Sequence, residues 1–223
     1  MKIWLLRISL LFLILISCSI GYGEEADVEN EILFRDEEWY CDISTVCESL
    51  RGEIPGVYEI RKGERILHMS FWRSGYIASA NDAGYSLTIT PDEDFFVAGH
   101  RIEKIKAYAI YGIRENKVVE DESLSRLIMA QYEFDVNSKN VNDVYDDLFE
   151  KMCEIYGQPF ETSDVLDMYA VWHGANSTGV YINGSFSYLY LCYGKMDFHS
   201  DLSELIEIRN KELIADEESK EGL

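Results

Sequence analysis

Val141-Asn142-Asp143-Val144-Tyr145-Asp146-Asp147-Leu148-Phe149-Glu150-Lys151-Met152-Cys153-Glu154-Ile155-Tyr156 is the stretch that decides the fold. Val144, Leu148, Met152 and Ile155 recur at helical spacing, and Tyr145, Phe149 and Cys153 widen the stripe. Asn140 is placed to cap this helix, with Asp143 in the first turn favouring the dipole. Gly157 comes after the last turn and Pro159 blocks continuation. An apolar stripe must be buried against something, and the segments downstream of Pro159 are strand-like: Met168–His173, Gly179–Ile182 and Ser187–Tyr193. Asn183-Gly184 is a hairpin signal, because both residues tolerate positive φ. In the last strand Tyr188, Tyr190 and Cys192 share one face, while Leu189, Leu191 and Tyr193 share the other. With both faces apolar, this strand is expected at the centre of a sheet. The 141–193 region therefore reads as a helix and then three antiparallel strands.

Upstream, a short helix over Ser44–Leu50 turns Ile43, Val46, Cys47 and Leu50 inward. Strand candidates are Ile32–Phe34, Val57–Arg61, Ile66–Trp72, Tyr85–Thr90, Phe95–Gly99, Ile105–Tyr111 and Leu127–Val136. Downstream, a third helix runs from Leu202 to Ala215, with Asp201 and Glu204 as a capping-box-like pair. Residues 216–223 read as a frayed acidic tail. The expectation is an α+β fold: an antiparallel sheet with about three helices, in one domain over residues 31–215. A helix at 44–50 with strands after it at 57, 66 and 85 repeats the later order. That admits two α-β-β-β units, though no residue-level repeat accompanies them.

The N-terminus carries an address. Lys2 and Arg7 precede an apolar run from Ile8 to Ile16, too short for the roughly 20 residues that span a bilayer. Residues 1–23 read as an export signal and 24–30 as a tether. Two processing routes compete. Signal peptidase cleavage after Gly21-Tyr22-Gly23 gives a secreted protein. Alternatively, Leu15-Ile16-Ser17-Cys18 resembles the lipobox of bacterial lipoproteins, which implies a lipidated Cys18 as first mature residue. Either route places the mature protein outside the cytoplasm, with the membrane involved only through the signal or the lipid anchor.

The formal charge is −21, from 41 acidic and 20 basic residues. Losing Lys2 and Arg7 with the signal takes it to −23. A charge this negative repels phosphates and excludes nucleic acid as a partner. With Cys18 lipidated, Cys41, Cys47, Cys153 and Cys192 remain as disulfide candidates, since an exported protein can oxidise them. A local Cys41–Cys47 bridge is one option. Cys153 and Cys192 meeting in the core, paired or simply packed, is another.

Four further segments carry a family resemblance. Phe34-Arg35-(x)3-Trp39 resembles the start of a group of small exported proteins of Gram-positive bacteria. Val97-Ala98-Gly99, Tyr156-Gly157-Gln158-Pro159 and Trp172-(x)3-Asn176-(x)-Thr178 are similar to its later landmarks. This chain departs from the group at Tyr40, where Gly is usual, and at Gln158, where Glu is usual. The resemblance implies a fold and a location but no reaction. The α-β-β-β order is also similar to small lipoprotein modules of outer-membrane assembly and to β-lactamase inhibitors.

No phosphate loop, nucleophile elbow or HExxH pair is present. The four histidines, His68, His100, His173 and His199, are dispersed. Structural roles compete with a zinc site from His173, Cys192 and a carboxylate, with calcium at Asp92-Glu93-Asp94, and with a Cys192–His173–Asn176 hydrolase arrangement. The structural roles carry more weight, because a cysteine inside an apolar strand stays protonated. No catalytic residue and no cofactor is assigned. Fifteen tyrosines read mainly as core, with an aromatic platform for glycan or peptide as the functional alternative. The sequence thus points to a non-enzymatic envelope protein that binds a protein or glycan. The competing expectation is a secreted hydrolase or enzyme inhibitor.

Overall fold

The computed structural model describes residues 30–67, 79–163, 168–197 and 199–221. Cys18, the expected signal, residues 24–29 of the tether and residues 68–72 of one expected strand lie outside them.

Helix α1 spans Ile43–Glu53 and β1 Gly56–Leu67; next come β2 (Ser79–Pro91), β3 (Phe96–Val97) and β4 (His100–Ile110). A small hairpin, β5 (Gly112–Arg114) and β6 (Lys117–Val119), and a 3-10 turn at Glu122–Leu124 lead into β7 (Arg126–Phe134). Helix α2 spans Val141–Tyr156. After it come β8 (Glu161–Ser163), β9 (Met168–Gly174), β10 (Thr178–Ser185) and β11 (Tyr188–Lys195), and α3 (His199–Glu221) closes the order. All pairings are antiparallel, in the order β1-β2-β4-β7-β11-β10-β9-β8, with β3 added beside β4. The α+β class is therefore correct, with three helices among the described residues.

Each half of the chain is a helix and a set of strands that step from an edge to the centre. The halves meet where β7 and β11 pair antiparallel, with Gln131 opposite Cys192. The topology has the symmetry of a two-fold rotation through that pair. Each half supplies four main strands rather than the expected three. In the first half the strands expected at 57 and 66 are both β1, and β4 and β7 are additional; in the second half the three-residue β8 is added.

Helix α1 starts where Asp42 caps it through its bond to the Thr45 amide at 2.9 Å. It buries Ile43, Val46, Cys47 and Leu50, as expected. Helix α2 buries Val141, Val144, Tyr145, Leu148 and Met152. Two expectations about α2 fail. Asn140 makes no side-chain cap, because its Oδ1 accepts from the Asn137 amide at 2.7 Å instead. Ile155 is 63% exposed rather than part of the stripe. The buried line advances by four residues, 144–148–152–156, so Tyr156 packs on the core and Ile155 swings aside. Helix α3 is longer than expected and absorbs much of the supposed frayed tail, which is made of helix formers with no Gly or Pro before Gly222. Asp201 does not cap it; its carboxylate takes bonds from Tyr40 Oη at 2.8 Å and Arg126 Nη1 at 3.1 Å.

Other boundaries shift too. Ile32–Phe34 is not a strand: only Phe34 forms an isolated bridge, to Glu37, while Ile32 and Phe34 are buried. Residues 57–61 and 66–67 belong to one long strand. Asn183-Gly184 lies inside β10, and the turn falls at Phe186-Ser187.

Strand positions Tyr85, Leu87, Ile89, Ile105, Ala107, Ala130, Tyr132, Trp172, Val180, Ile182, Leu189 and Leu191 join the inward residues of all three helices in one core. Because side chains alternate along each strand, the helices all pack on one face of the sheet.

Candidate functional site: the helix-free face of the sheet

The opposite face carries what remains of that alternation. Register sets it out in rows across the strands. One row runs Ser163, Tyr169, Asn183, Tyr190, Glu133, Lys104, and the pair Thr90 and Val57 follows the same alternation on β2 and β1. The next runs Glu161, Val171, Tyr181, Cys192, Gln131, Lys106, Thr88, Glu59. A third runs His173, Gly179, Gly194, Met129, Tyr108, Ser86, Arg61. Among the described residues no helix covers these rows.

Val171, Tyr181 and Cys192 are buried at the middle of this face, with Tyr169, Tyr190 and Met196 packed around them. Tyr181 Oη points to the Met129 sulfur at 3.7 Å, and the Cys192 thiol to Gln131 Oε1 at 3.8 Å. Burial pushes the Tyr181 phenol well above its ordinary value and the Cys192 thiol up to about 12. Both stay protonated at neutral pH, so Cys192 offers no free thiolate as a nucleophile. The periphery is more open. The Tyr188 and Tyr190 rings stack at 5.2 Å, and Phe160 stacks on the His173 ring at 4.4 Å. Phe186, at the tip of the β10–β11 hairpin, is 76% exposed.

The charged side chains on the face come in balance: Glu59, Glu133 and Glu161 against Arg61, Lys104 and Lys106. Arg61 Nε bonds Glu59 at 2.9 Å, and Lys106 Nζ lies 3.1 Å from Glu133 Oε2. That Glu133 oxygen is shielded from water, and the lysine sits out of hydrogen-bond alignment with it. Its contact with Lys106 is therefore an ion pair rather than a hydrogen bond, and an aligned donor is still wanting.

The other candidate residues are scattered. Cys41, Cys47, Cys153 and Cys192 are all free thiols. Cys153 packs toward the helix-side core and Cys192 lies on the opposite face, so the sheet separates them and they do not meet. Burial raises the Cys41 thiol to about 12, helped by Glu37 and Asp42. His100 Nε2 meets Asp147 Oδ2 at 2.5 Å, far from His173 in the fold, and His68 lies outside the described residues. Among the described residues no three His, Cys, Asp or Glu side chains come together as a metal site, at Asp92-Glu93-Asp94 or elsewhere. An open recess lined by Gly112, Ile113, Arg114, Val119, Leu124 and Arg126 lies beside the β5–β6 hairpin, holding no nucleophile or acid–base pair. No described helix is long and apolar enough to cross a membrane.

Sequence reasoning identified the shared face of Tyr188, Tyr190 and Cys192 but missed Tyr169, Met129, Phe160 and Phe186 as its neighbours. The signal that finds them is the strand register, which no single segment carries. No family model, no curated protein and no solved structure matches this chain.

Proposed function

We propose that this chain is an exported or lipid-anchored cell-envelope protein, resembling the small exported proteins of Gram-positive bacteria. On this reading it docks a protein on the helix-free face of its sheet. One observation carries the proposal: the large sheet has all three described helices on one side and tyrosines along the other. The surface open to a partner is the rim of this face, with Phe186 76% and Tyr188 36% exposed, around the buried centre at Val171, Tyr181 and Cys192. Tyrosine also suits such a surface, since it offers large contact area at small entropic cost. The envelope location rests on the basic start, the apolar run and Leu15–Cys18.

The inhibitor alternative fits the same surface, because inhibiting an enzyme is docking on one. The hydrolase alternative draws no support from Cys192, whose thiol stays protonated. The test is a Tyr188→Ser/Tyr190→Ser double variant, which keeps β11 paired but removes the exposed stack. Full-length protein and variant are compared as baits against envelope extract, with Leu213→Ser on the exposed side of α3 as control. A protein retained by the control and lost by the double variant supports the reading. Equal capture by all three baits refutes it.

A further inference from the structure

We infer that the protein docked on this face is a basic one, a step that rests on the docking reading. Two observations point to it. First, the chain carries −21, yet charged side chains in the three rows of the face are balanced three against three, with Arg61 bonded to Glu59 and Lys106 in an ion pair with Glu133. The acidic excess therefore lies around the face rather than on it. Such a field draws a cationic protein toward a surface that then presents tyrosine to it, and repels anionic candidates.

Second, the acidic excess is close to the exposed aromatics. Phe186, Tyr188 and Tyr190 sit at the end of the sheet where β2 and β7 finish and β4 begins. Asp92, Glu93, Asp94, Glu103 and Asp135 are exposed at that same end. The cations there are committed: Arg101 bridges Asp94 and Asp135, and Lys104 bonds Glu103 at 2.8 Å. An incoming Arg or Lys finds these carboxylates at the same end of the sheet as the exposed rings of Phe186 and Tyr188, so one partner can make ionic and cation–π contacts there.

A second copy of this chain brings its own surplus of carboxylates instead of such a cation. Self-association through this face therefore sets −21 against −21.

The experiment places a photo-crosslinking side chain at the hairpin tip, Phe186→p-benzoylphenylalanine, in the full chain expressed in its own cells. The crosslinked species is identified by mass spectrometry. Its association rate with the unlabelled protein is then measured from low to high salt. The expected result is a protein of net positive charge whose association rate falls tenfold or more as the Debye length shrinks from about 30 Å to about 3 Å. A captured protein of neutral or negative charge, with a salt-independent rate, overturns this inference and leaves the docking face standing. Crosslinking to a second copy also overturns it. No protein captured at Phe186, while the same probe at exposed Leu213 captures one, overturns the docking reading and the inference together.

Discussion

Leu148→Ala and Ile155→Ala, made separately, measure whether helix α2 seats its stripe on the sheet. Leu148 is fully buried at the middle of the stripe, between Val144 and Met152 and over the sheet. Truncating it removes three carbons from water-free packing and leaves a void that surrounding strands fill only in part. Such changes cost about 2–5 kcal/mol. A middle value of about 3 kcal/mol, at roughly 2–4 °C per kcal/mol for a chain of this size, lowers Tm by about 6–12 °C. Ile155, 63% exposed, loses little burial when truncated. Alanine also has the better helix propensity, so that variant stays within about 0.5 kcal/mol, or about 2 °C. Circular dichroism melts of the two variants beside the parent give both shifts. A loss at Ile155 equal to that at Leu148 refutes the four-residue spacing of the stripe, and a shift under about 2 °C at Leu148 refutes its burial.

The same structure sets three further outcomes. Cys192, fully shielded and held protonated up to about pH 12, reacts with a thiol reagent at pH 8 only as fast as the protein opens; immediate labelling in the native state contradicts its place under Tyr181. Glu120 is held below its ordinary carboxyl value first by Lys62, and Arg209 adds to this. Its contribution to stability is therefore full above the unfolded value of about 4.3 and lost as pH falls through the lower folded value. Glu120→Gln should flatten part of the acid limb of a pH–stability curve, and an unchanged limb removes Glu120 from the set of ions that hold α3. Cys18→Ala should release the protein from the membrane fraction, whereas unchanged fractionation points to the alternative cleavage after Gly23.

Local chemistry was readable wherever a helix or a two-faced strand carried its own pattern. The α1 and α2 stripes and the two faces of β11 depend only on neighbours three, four or two residues away. What failed depended on distant atoms. Asn183-Gly184 looks like a turn, yet a Cβ at Gly184 would lie 2.6 Å from Leu189 Cδ1, so the missing side chain makes room for a packing leucine rather than for a bend. The positive-φ turn residues are instead Asn176 and Ser177, between β9 and β10, hidden in a triplet that reads as a glycosylation signal. Asp201 was spent on Tyr40 and Arg126, residues more than seventy positions away, so its capping role was lost. The docking face was the least legible part. Its members are drawn from eight strands, and no one strand reveals that the described helices all pack on its other side.

The mirrored order of strands means that the β7–β11 pair joins two folding units much as a dimer interface would. Their covalent link within the sheet is the six-residue connection from Asp135 to Asn140. Were the backbone cut there, the second unit would carry the inner edge of β11 as an unpaired row of amides and carbonyls. Such an edge is a template seeking a strand. The fragment holding β7 is its natural complement, and another copy of the same fragment is its competitor. The protein is thus divisible, in principle, into two pieces whose reassembly restores the β7–β11 pair together with the side-chain bonds that cross between the halves, among them Asp201 to Tyr40 and Arg126.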